Sequence, residues 1–182
     1  GVVEPVEDDD SEAAREARLA AMLKSLDGAL AGLAAARAAE GKRLEAMLVE
    51  RLGEIEALTK KAAATAAVQP AAIKARLKAR VAELMEAQPA LAEERLLQEA
   101  ALAASRADVR EELDRLAAHV AAARDLVKLG GAIGRQFDFL AQEFNREANT
   151  LCSKSSDLEL TRIGLDLKTA IEQMREQAQN VE

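Results

Sequence analysis

His119 is the only histidine in the chain. It ends the segment RADVREELDRLAAH, in which Asp108, Glu112, Arg115 and His119 recur at spacings of four, three and four. On a helix those spacings put the four side chains along one flank. A carboxylate and an imidazole two turns apart can pass a proton to and from a substrate, or share a metal ion. The bland role is a hydrogen-bonded packing residue, because the apolar stripe Val109, Leu113, Leu116, Val120 and Val127 runs beside it. For a lone histidine that is the commoner role.

A second group of polar residues lies at 133–152. Ile133, Phe137, Leu140, Phe144, Ala148 and Leu151 fall in one narrow sector at 100° per residue and account for that helix's burial. The opposite face carries Arg135, Asp138, Gln142, Asn145, Arg146 and Asn149, flanked by Glu143, Glu147 and Thr150, with Phe139 in its midst. Read blandly, this is a solvated face with ion pairs such as Arg135 to Asp138. Read as a site, the carboxylates would hold a divalent cation, the arginines and amides would meet phosphate oxygens, and Phe139 would stack on a base or enter another helix.

Two further stretches bear on phosphate. SKSSDLEL places Lys154 beside a helix N-terminus, where Ser156-x-x-Glu159 has the form of a capping box and the lysine makes an anion site conceivable. IKARLKAR, at 73–80, sets four basic residues on both flanks of an apolar stripe, a pattern better suited to snorkelling side chains than to a phosphate track.

The elements that must position these residues are all helical. Leucines at 19, 23, 26, 30 and 33, then 44, 48 and 52, followed by Ile55 and Leu58, keep to one stripe and predict a single helix of nearly 60 residues starting at Ser11. Arg37 and Glu40 interrupt that stripe together, as a buried pair fixing register in an assembly would. Pro70 and Pro89 bracket a shorter helix. A third runs to Leu129, re-capped at Asp108 through Asp108-x-x-Glu111, and LGGAIG stops it. A fourth spans about 133–152, and a last one carries Leu160, Ile163, Leu167, Ile171, Met174, Ala178 and Val181. No window alternates like a strand. The predicted fold is all-α: a long helical hairpin or coiled-coil arm over 13–105, and a C-terminal helical bundle over 106–182, with an acidic linker at 1–12.

Composition limits the core and the partners. Of 182 residues, 42 are alanine and three are aromatic, so apolar content overstates the area that can be buried, and packing against further copies is expected. The net charge of −7 argues weakly against nucleic acid, since six acids fall in residues 1–12 and the remainder is nearly neutral. One cysteine allows neither an intrachain disulfide nor a cysteine-based zinc site. With no apolar run near 18 residues and no signal peptide, the expected setting is the cytoplasm, away from membranes.

The stretch GRQFDFLAQEFNREANTLCSKSSDLELTR, the closing IEQMREQAQNVE and, upstream, RADVREELDRLAAH together resemble the C-terminal portion of the YicC-like (YicC/YloC) bacterial family. The specific part covers about 106–182, and GVVEP resembles the junction after an N-terminal domain that the chain lacks. Cys152 stands where the family commonly has glycine, and Ala118 where serine is common. The resemblance implies a cytoplasmic, metal-dependent endoribonuclease working as a homo-oligomer, a hexamer of helical arms. Combined with the polar faces, it implies Asp138, Glu143 and Glu147 as metal or water ligands, His119 with Glu112 for acid/base work, and Glu143 and Glu147 as catalytic in that sense. Arg135, Phe139, Arg146, Asn149 and Lys154 are then expected to meet RNA. Oxygen ligands with at most one imidazole suit Mn2+ or Mg2+. The alternative is a non-catalytic RNA-binding or oligomerisation scaffold of coiled-coil type.

Overall fold

A computed structural model describes residues 11–65, 70–87, 93–106, 108–155 and 157–179. The acidic linker up to Asp10, Pro89, Ser156 and Val181 lie outside them. Among the described residues there are six helices and no strand: α1 Glu12–Ala64, α2 Pro70–Ala87, α3 Glu93–Arg106, α4 Arg110–Leu129, α5 Gly134–Lys154 and α6 Leu158–Ala178. The all-α expectation is met, and the long first helix runs 53 residues.

Two compact units divide the chain, 1–43 and 44–182. In the first, the stripe residues Leu19, Met22, Leu23, Leu26, Leu30 and Leu33 are each more than half exposed. Arg37 and Glu40 are also exposed, and Glu40 pairs with Arg43 rather than being buried with Arg37. By length and composition α1 could cross a membrane, one window reaching a mean hydropathy of 1.4. That value comes from alanine and leucine. Lys24 and Asp27 interrupt the stretch, and each would cost about 2.5–3.5 kcal/mol at a bilayer centre, which weighs against a span.

The second unit contains the core. Leu48, Leu52, Ile55 and Ala62 of α1 join Leu113, Leu116, Val120 and Ala123 of α4, Phe137, Ala141, Phe144 and Leu151 of α5, and Ile163, Leu167, Ile171 and Met174 of α6. These are the stripes that helical periodicity marks, and full burial of each large side chain contributes roughly 1.5–3 kcal/mol. Arg124 of α4 reaches Glu56 of α1 at 2.6 Å.

Four local details position the site. Gly130 and Gly131, at φ 67° and 78°, adopt left-handed backbone that a side chain would strain, so LGG ends α4 and turns the chain back within a few residues. The α4 start differs from the capping box expected at Asp108-x-x-Glu111. Val109 is the N-cap and offers no side-chain acceptor; Asp108 instead accepts the Arg110 backbone N–H and is clamped by the Arg110 guanidinium. At α6 the cap is Asp157, whose Oδ1 accepts the Leu160 amide at 2.8 Å. The close approach of α5 and α6 depends on Gly164, because a Cβ there would lie 2.4 Å from the Cys152 Sγ.

Candidate metal centre between two helices

α4 and α5 return on each other across the glycine turn, and their shared seam has two halves. Glu112, Arg115 and His119 recur on one strip of α4, which continues through Ala122, Leu126 and Leu129. On α5 the facing strip runs through Phe139, Glu143 and Glu147, four residues apart.

The first half is charged and largely buried. Glu147 is 3% exposed and Glu112 5%, the lowest values for charged groups among the described residues. Neither is left as a bare charge, which would be costly away from water. Arg115 Nη1 donates to Glu147 Oε1 at 3.3 Å across 32 residues of chain, and Arg115 Nη2 donates to Glu111. Glu147 first, and Glu111 with it, raise the Arg115 pKa, so the guanidinium is firmly charged. Lys154 Nζ donates to Glu112 Oε1 at 2.7 Å and to the Asp108 carbonyl at 3.1 Å. The Arg110 hydrogen bond to Asp108 holds that carboxyl below its usual range.

Two buried atoms in this half have no protein partner: Glu112 Oε2 and His119 Nε2. The imidazole packs edge-on to Phe144, with ring centroids 5.6 Å apart. His119, Glu143 and Glu147 each offer a ligand atom, and the three atoms lie within 4.8 Å of one another. Two carboxylates and one imidazole nitrogen converging in this way fit a divalent ion such as Mn2+. The buried His119 Nε2, which has no protein partner, adds a further unused donor or acceptor to this set.

The other half is apolar. Phe139 is 61% exposed and, with Leu126, Leu129, Leu140, Ala122 and Arg135, lines an open groove of about 850 Å3.

The structure thus brings together His119, Glu143 and Glu147 and puts Glu112 two turns before His119 on α4. Asp138 is elsewhere. It accepts from Arg175 Nε at 3.0 Å and from Gln142 at 2.9 Å, so its partner is Arg175 of α6 rather than Arg135 or a metal with Glu143. Among the residues expected to meet RNA, Arg135 and Phe139 border the groove. Arg146 is exposed and 3.8 Å from Glu143, and Asn149 is exposed. Lys154 is instead held in the seam by Glu112. Arg115, on the same α4 flank, is the cation that grips Glu147, a role that the sequence does not reveal. Its spacing from His119 was the only available sign.

An imidazole and two carboxylates gathered between two helices form a donor set that could hold a metal. The comparisons are more specific. The family described as "Endoribonuclease YicC-like, C-terminal" matches residues 63–182, and the chain belongs to it. A relative from Haemophilus influenzae named "Probable endoribonuclease YicC" is 40% identical over all 182 residues, which cover 61% of that protein. One of the same name from Clostridioides difficile is 39% identical over 107 residues, 59% of this chain and 36% of the relative. The chain therefore spans about three fifths of the length of the first relative.

Proposed function

We propose that the chain is the helical part of an RNA-cleaving protein and that the seam between α4 and α5 is its metal-dependent centre. The observation that carries this reading is the convergence of an imidazole nitrogen of His119 with carboxylate oxygens of Glu143 and Glu147, all within 4.8 Å of one another, beside a buried His119 Nε2 that has no protein partner. The names of the relatives supply the reaction class. Mn2+ suits one imidazole with two carboxylates better than Mg2+, which keeps to oxygen and water. A bound ion there would offset charge on the phosphate oxygens and make an attacking hydroxyl more acidic.

The chain's own groups supply the rest. His119, Glu143 and Glu147 hold the ion, and Asp138, held by Arg175, is left out of that set. Glu112, fixed through one oxygen by Lys154, can hold a proton on its other oxygen. Phe139, one turn before Glu143 on the same strip, offers a base-stacking surface, and Arg135, Arg146 and Asn149 offer donors to phosphate. The cytoplasm is the setting proposed for this activity.

Calorimetric titration with Mn2+, run beside cleavage of labelled single-stranded RNA with and without EDTA, tests the reading on this chain and on a longer one. Binding that His119→Ala abolishes, with EDTA-sensitive cleavage, is expected. Cleavage untouched by EDTA, or no Mn2+ binding, refutes the metal centre.

A scaffold role is favoured by a different observation, the exposed leucines of α1. A stripe of that length in water is expected to pair with other copies, giving a homo-oligomer. Light scattering that shows only a 19.4 kDa species would exclude it.

A further inference from the structure

Arg115 sits between two carboxylates that differ sharply in environment. Glu147 is 3% exposed, whereas the Glu111 side chain is 69% exposed and the Arg115 side chain 48%. Losing the inner contact would strand a buried charge. The outer contact is a surface pair one turn apart on a helix, screened by solvent and therefore weak. One edge of the guanidinium is therefore anchored, and the other is easily freed.

The local charge balance shows what could take the freed edge. Glu111, Glu143 and Glu147 face Arg115 and Arg146, which leaves one net negative charge when the imidazole is neutral. A phosphodiester would be repelled. A divalent cation on His119, Glu143 and Glu147 reverses the sign, and an anion beside it then lies next to the guanidinium that already touches Glu147. The planar fork of arginine matches two phosphate oxygens and is preorganised for charge that grows on them during cleavage.

We propose that Arg115 is a phosphate-binding residue of this centre, anchored by Glu147 and exchanging Glu111 for an RNA phosphodiester once the cation is in place. The proposal rests on the metal-centre reading above.

Arg115→Gln keeps a donor for Glu147 and removes the charge, so it is the informative variant; Arg115→Lys keeps the charge without the fork. Each is titrated with Mn2+ by calorimetry, and binding of a labelled single-stranded RNA is then followed with Mn2+ present over a range of salt. For Arg115→Gln, Mn2+ affinity should stay within about threefold while RNA affinity falls about tenfold or more, the loss of one charge-assisted contact. The log–log salt slope should drop by about one. Arg115→Lys should keep the slope and recover only part of the affinity, and Glu111→Gln should raise RNA affinity.

Unchanged RNA affinity and slope in Arg115→Gln would overturn the proposal. So would loss of Mn2+ affinity together with RNA affinity, which would make Arg115 a support for Glu147 only. Wild-type protein that binds Mn2+ but no RNA overturns the proposal and leaves the metal site standing, whereas wild-type protein that binds no Mn2+ removes both.

Discussion

α5 meets its two neighbours in opposite ways. Toward α6 it is drawn close where Gly164 lies on Leu151 and Cys152, and its buried Phe137, Phe144 and Leu151 share one apolar core with Ile163, Leu167 and Ile171. Toward α4 it presents Glu147, almost as buried as those phenylalanines, with Glu143 and Lys154 on the same strip. The first seam contains what stability asks for. The second contains ionised groups that hydrophobic residues of similar volume would replace at little or no cost to folding. Buried charge that stability does not require points to chemistry.

The comparison can be broken from either side. The largest effect is expected from Phe144→Ala, which removes a fully buried ring from the centre of α5 and should cost about 3–5 kcal/mol in chemical denaturation. Because the same ring carries His119, Mn2+ affinity should fall as well. Gly164→Ala should cost about 1–3 kcal/mol by overpacking. Adding Cys152→Ala should restore most of that loss, since the sulfur is the nearest obstacle. A double-mutant cycle without coupling would mean that the α5–α6 seam yields elsewhere.

On the charged side, Lys154→Met alone should destabilise by about 1–3 kcal/mol by stranding Glu112. Glu112→Met with Lys154→Met should be neutral or stabilising, the pair being partly open to solvent, while RNA cleavage is lost. A double variant as unstable as the single one would show that the polar seam is structural after all. Asp108→Asn tests a smaller term. The Asp108 pKa is lowered in the fold, so its contribution is complete above the unfolded value of about 3.9 and fades as pH falls through the lowered one. The melting-temperature gap between wild type and variant should be constant above about pH 5 and close below about pH 4. Phe139→Ala should change stability by less than about 0.5 kcal/mol, because the ring is mostly exposed. A change in oligomer mass or in RNA affinity would then say which partner the groove serves.

The helices were legible because apolar spacing is a local property. The stripes at Val109 to Val127, Ile133 to Leu151 and Leu160 to Ala178 are core strips in the structure. The donor chemistry of His119, Glu143 and Glu147 is visible in the sequence, but their convergence depends on how α4 faces α5, and spacing along one helix says nothing of that. For the same reason Asp138 stood beside Glu143 in the sequence reading, although its partner, Arg175, lies 37 residues away. Glu147 looked like a flank residue because a carboxylate is ordinarily taken to face water; its burial is explained only by Arg115 across the seam. The caps differ by a residue from the expected ones for different reasons: at α6 Asp157 offers a second polar acceptor beside the expected serine, whereas at α4 Asp108 turns to Arg110 and Val109 starts the helix without a side-chain cap.

The double-glycine turn at Gly130 and Gly131 also bears on the order in which the molecule assembles. The hydrogen bonds that flank the candidate centre join residues only 32 to 46 positions apart, through a return closed by that turn. Closing so short a stretch costs little chain entropy, and helical pairs with low contact order form on the fast side of the folding range. The centre is thus topologically local, so its two helices can meet early, without long-range closure of the chain.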